Sequence, residues 1–247
     1  MRATWRGPQS LRAEREGLAM ARSVLIWSCV ALAVAVPVGL AAVSPLLAWR
    51  DSIYVTAGFA GIVGLALMLL QPLLVAGILP GLTPYQSRRT HHWIGAAIVL
   101  AVFIHVGGLY LTSPPDVIDV LVLNSPTPFA VWGLAAMWAV IIVAVLTFFR
   151  HRLRLMTWRR VHSALALVIV VGTVVHTVLI EGAMETFSKV ALCGLVVLVS
   201  LKVIADLKVW QSRKDRQTAR AGAGSGPRPG IGSGAGTSTG PHAEPGR

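Results

Sequence analysis

The chain has 247 residues, of which 55% are hydrophobic and only 13% charged, with a formal net charge of +12. A soluble domain carries about a quarter charged residues, so this composition excludes an ordinary soluble enzyme and points to an integral membrane protein. The positive charge does not indicate nucleic acid, because Lys and Arg flank apolar stretches instead of gathering on one face.

Residues 1–22 form a polar leader with five arginines, expected in the cytoplasm, and Met20 is an alternative start. Crossing ~30 Å of hydrocarbon takes about 20 apolar residues. Six stretches reach that length: 23–43, 53–79, 91–112, 128–149, 158–180 and 187–209. The first is too long for a signal peptide and lacks a small-residue cleavage site, so it reads as a retained span. The second contains Gln71-Pro72, where a kink is expected, and Pro80, Gly81 and Pro84 stop it. Cys29 and Cys193 both fall inside apolar stretches and read as buried small hydrophobes. The segment 211–247, rich in Gly, Ser, Pro and Ala, cannot build a core and reads as a disordered cytoplasmic tail. The expected fold is all-α: a polytopic six-transmembrane-helix bundle over 23–210.

Charge at the span ends sets the expected orientation. Seventeen Lys and Arg lie in residues 1–22 and in the 80–90, 150–160 and 208–220 segments. The alternate loops hold Arg50 and Lys189, with Asp116, Asp119, Glu181 and Glu185. The positive-inside rule then places both termini in the cytoplasm of a multi-pass cell-membrane protein, expected in a bacterial inner membrane. With one span between them, the third and fifth spans run parallel.

Those two spans each carry histidines fourteen residues apart: His91 and His105, His162 and His176. Fourteen residues of α-helix rise roughly 21 Å and return to within about 40° of the starting face. His91 and His162 therefore share the inner level, and His105 and His176 the outer one. Facing imidazoles at two depths are the geometry for two stacked bis-histidine hemes, the four histidines serving as axial iron ligands. His92 is thirteen residues from His105, which turns the two roughly 140° apart, so His91 is the better ligand. A single histidine at a helix end is more often interfacial. His151 and His242 receive no ligand role.

Gly95, Gly107, Gly108 and Gly172 lie beside these histidines. They could admit a flat macrocycle or serve ordinary helix packing, with equal weight. Arg88, Arg89, Arg159 and Arg160 precede the inner histidines and could bond heme propionates, although topology alone also demands arginines there. Trp138 and Phe103 could sit between the hemes, though packing is the commoner role.

The stretches RRTHHWIGAAIVLAVFIHVGGLYL and WRRVHSALALVIVVGTVVH resemble the heme-bearing helices of the ferric reductase-like transmembrane domain family. That family takes in ferric reductases, NADPH oxidases and the heme-binding membrane subunit of the bacterial methionine-sulfoxide reductase system. The likeness covers about residues 50–210. It implies two heme b groups, one held by His91 and His162, the other by His105 and His176. It also implies electron transfer from a cytoplasmic donor to an outer acceptor, either ferric iron or a periplasmic reductase partner. Many relatives continue into a flavin and nicotinamide domain. No Gly-rich dinucleotide motif follows the last span here. The expectation is an oxidoreductase component fed by a separate cytoplasmic flavoprotein, or by a flavin or quinol bound at its surface. Two rival classes remain: a transporter relaying protons or metal through histidines, and a non-catalytic assembly subunit. The first is weakened because no Asp or Glu lies deep in the spans; the second needs no evenly spaced histidines.

Overall fold

The computed structural model describes residues 8–182 and 184–223. They form seven α-helices and, among the described residues, no strand: α1 Pro8–Ala42, α2 Ser52–Val75, α3 Pro84–Thr112, α4 Pro114–Leu121, α5 Pro128–Phe148, α6 Leu155–Leu179 and α7 Thr186–Ala223. All but α4 contain a stretch long and apolar enough to cross a membrane. Helices are the natural answer for such stretches, because lipid offers no partner to an unpaired peptide group. The protein is a multi-pass membrane bundle.

Local chemistry sets the helix starts. The Asp51 carboxylate accepts from the backbone N–H of Ile53 at 2.7 Å and caps α2. Thr83 and Gln86 form a reciprocal capping box on α3, with Pro84 at its first position. Pro114 and Pro128 open α4 and α5 in the same way. The segment 112–128, around Asp116 and Asp119, is expected from the sequence as a loop. It contains α4 instead, because a proline that breaks a helix interior is well placed to begin one. α2 ends at Val75, short of the expected 79. Gly77 and Gly81 there take left-handed φ angles of 63° and 81°, conformations that turn the chain out of a helix.

The chain divides into two units, 1–205 and 206–247. In the first, packing is concentrated in two hairpins, α2 with α3 and α5 with α6. A core of buried side chains runs along α2 (Ile62, Leu65, Leu69, Leu73) and takes in Leu192, Cys193 and Val196 of α7. Cys193 is thus buried as expected, whereas Cys29 is exposed on α1. Lys189, counted above as a loop charge, is buried, and its ammonium donates to the Ile180 carbonyl at 2.9 Å, capping the end of α6. In the second unit the expected tail is helical as far as Ala223, and residues 224–247 lie outside those described. The leader is helical from Pro8, and residues 1–7 lie outside those described.

Candidate functional site

α3 and α6 bring their histidines together in two tiers. The His91 and His162 rings have centroids 6.2 Å apart at an interplanar angle of 68°. The His105 and His176 rings are 6.5 Å apart at 81°. First pairs with first and second with second, so the two helices run parallel. His92 is exposed and lies beside Trp93, with ring centroids 6.3 Å apart.

The second tier is held by main-chain oxygens of the other two helices. The Nδ1 of His105 stands 2.7 Å from the Ala57 carbonyl on α2. The Nδ1 of His176 stands 3.0 Å from the Phe129 carbonyl on α5. A carbonyl can only accept, so Nδ1 carries the proton in both rings and Nε2 keeps its lone pair. One turn further along each supporting helix is a glycine. A Cβ on Gly61 would lie 3.0 Å from His105 Nδ1, and a Cβ on Gly133 would lie 2.6 Å from His176 Nδ1. The two hairpins therefore present the same device twice: a carbonyl donated by residue n, a glycine at n+4, and a histidine seated on both.

The first tier is built differently. His91 Nδ1 and His162 Nδ1 are buried and, among the described residues, have no hydrogen-bond partner. Gln71 on α2 donates from Nε2 to the His91 main-chain carbonyl at 3.2 Å. Trp158, one turn before His162, lies over that ring at 5.1 Å and 31°. Arg88, Arg89, Arg159 and Arg160 are exposed at this end of α3 and α6.

Two of the glycines named from the sequence pack against a neighbouring helix. A Cβ on Gly172 would meet the Trp132 carbonyl at 2.8 Å, and one on Gly108 would meet Ala57 Cβ at 2.7 Å. These two serve close helix packing within the hairpins. Gly95 faces the Gln71 amide at 3.5 Å, and Gly107 faces nothing within 4 Å. Phe103 and Trp138 are both exposed, and Phe103 is turned about 160° round α3 from His105. The sequence reading missed Ala57, Phe129, Gly61, Gly133, Gln71 and Trp158. Carbonyls leave no trace in a sequence. The two glycines could have been found by asking which small residues of the preceding spans lie level with His105 and His176.

The ring separations test what the tiers could hold. A metal–imidazole bond is about 2 Å and a ring nitrogen lies about 1.1 Å from its ring centre, so imidazoles on opposite sides of one metal ion have centres roughly 6.3 Å apart. Both observed separations match that figure. Each tier supplies two ligands, and among the described residues no group of three or more His, Cys, Asp or Glu is placed to hold a metal ion. The donor set therefore fits a metal whose remaining ligands come with it, as in a porphyrin, better than a bare ion.

The fold and the paired rings define a polytopic membrane protein with two stacked histidine tiers. Residues 57–173 match the family model described as ferric reductase like transmembrane component, and this part of the chain is similar to that family. The match includes His91, His105 and His162 and stops three residues before His176. No curated protein and no solved structure matches the chain.

Proposed function

We propose that this domain carries electrons across the membrane through two b-type hemes, one bound between His91 and His162 and the other between His105 and His176. The observation that supports it most is the pair of ring separations, 6.2 and 6.5 Å, on helices that the sequence spaces for two depths. The four histidines would hold the hemes, which would supply one-electron iron chemistry when bound.

The protein's part is to hold, orient and insulate. The Ala57 and Phe129 carbonyls fix the tautomer of the second-tier imidazoles, so that Nε2 is the ligating nitrogen. Gly61 and Gly133 let those rings lie against the supporting helices. The exposed arginines at positions 88, 89, 159 and 160 offer charge-assisted bonds to propionates at the first tier. Apolar helices on either side exclude water. The Lys and Arg distribution puts the first tier on the cytoplasmic side, facing a flavoprotein or quinol donor. The second tier then faces an acceptor near α4, either ferric iron or an outer reductase partner such as a methionine-sulfoxide reductase.

Purification from heme-replete cells tests this reading. A pyridine hemochrome assay should return two heme b per chain, fully reducible by dithionite, and His105→Ala should return about one. A colourless wild-type preparation would overturn it.

A further inference from the structure

The two tiers differ in what meets Nδ1. In the second, two main-chain carbonyls are already in place. In the first, both Nδ1 atoms are buried and, among the described residues, have no hydrogen-bond partner, and the same holds for one acceptor, Gln71 Oε1. That acceptor belongs to a side chain already tied to the same histidine, through Nε2 and the His91 main-chain oxygen at 3.2 Å. A buried donor and a buried acceptor left alone are each costly, and here one of each sits on two bonded residues. The register explains why. Gln71 follows Ala57 by fourteen residues, and His91 precedes His105 by fourteen. The antiparallel hairpin thus sets Gln71 level with His91 as it sets Ala57 level with His105. On α5 the residue fourteen after Phe129 is Val143, whose side chain accepts nothing.

We propose that Gln71 is the positioning residue of the first tier: its carboxamide, anchored at Nε2, offers Oε1 to the Nδ1–H of His91 and so fixes that imidazole for iron. The inference rests on the heme reading above. A hydrogen bond accepted from Nδ1–H strengthens the imidazole as a donor and favours ferric iron, which lowers the reduction potential. Only one of the two first-tier ligands gains such a bond, and it comes from a side chain. The first-tier potential is therefore adjustable at a single residue that touches neither iron nor substrate.

The test uses the full chain in lipid nanodiscs, with heme counted before potentials are compared. The first-tier heme is identified in the His105→Ala background. Gln71→Met keeps an unbranched side chain and removes the amide acceptor. It should retain two hemes and shift the first-tier ferric-to-ferrous ratio about tenfold toward ferrous at fixed potential, about +59 mV for a one-electron couple. The second-tier potential should stay in place. Gln71→Glu retains an acceptor oxygen and should leave the first-tier potential at or below the wild-type value. An unshifted Gln71→Met therefore overturns the proposal, as does an equal shift of both hemes. If Gln71→Met loses the first heme, Gln71→Glu decides: a raised potential overturns the role, an unraised one supports it. Wild-type protein without heme defeats the functional reading itself and is recognised at the counting step.

Discussion

Gly61 and Gly133 stand where a single methyl group would strike an imidazole, at 3.0 and 2.6 Å from Nδ1. The shorter approach also brings His176 Cε1 within 2.9 Å, so the ring must shift as a whole. On the proposed heme reading, Gly133→Ala should therefore weaken retention of the second-tier heme by about tenfold to a hundredfold, the range expected when the support of a ligating histidine is disturbed. Gly61→Ala should weaken it less. Heme retained through size exclusion reads both, and the reverse ranking would contradict the seating described for the two rings. At the first tier, His92→Ala should leave the heme count at two and His91→Ala should lower it to one. That choice between neighbours was legible in the sequence, because one residue turns a helix by about 100° and only one of two adjacent histidines can face His162. The glycine and carbonyl seats were not legible, since they depend on how two helices lie side by side.

At the scale of the elements, the site is two helical hairpins with the same internal plan. Each places a supporting helix, α2 or α5, against a histidine helix, α3 or α6. Small residues let them close. Gly108 packs on Ala57 and Gly172 on the Trp132 carbonyl, as small residues do wherever membrane helices approach closely. Replacing Gly172 by Val forces its side chain onto main-chain atoms that cannot yield. Overpacking of this kind costs about 1–3 kcal/mol, so Gly172→Val should lower the apparent Tm by several degrees in detergent. Gly107→Ala, which meets nothing within 4 Å, should leave it unchanged. The six long helices were legible because lipid demands about 20 apolar residues per crossing. Their ends were less so. α4 was hidden behind a Pro-Pro pair that reads equally as a breaker or a start, and the polar leader gave no apolar signal for its helix.

The helix bundle as a whole has a direction. Parallel α3 and α6 keep both first-tier histidines at one end of the bundle and both second-tier histidines at the other. Seventeen Lys and Arg lie in the segments on the first-tier side, and the proposed function takes that end as cytoplasmic by the positive-inside rule. Removing one second-tier ligand should then separate two events that wild-type protein joins. In intact cells or oriented vesicles, His176→Ala should abolish reduction of a membrane-impermeant ferric chelate outside. The first-tier heme should still be reduced from the cytoplasmic face, seen as a persisting ferrous heme absorption band. Wild-type protein should do both. Neither event alone distinguishes a conduit from a heme-binding scaffold. The separation does, because only a protein with two heme sites in series has an inner part that still fills with electrons once its outer part is gone. If the variant still reduces the external chelate at the wild-type rate, the second tier is not on the path.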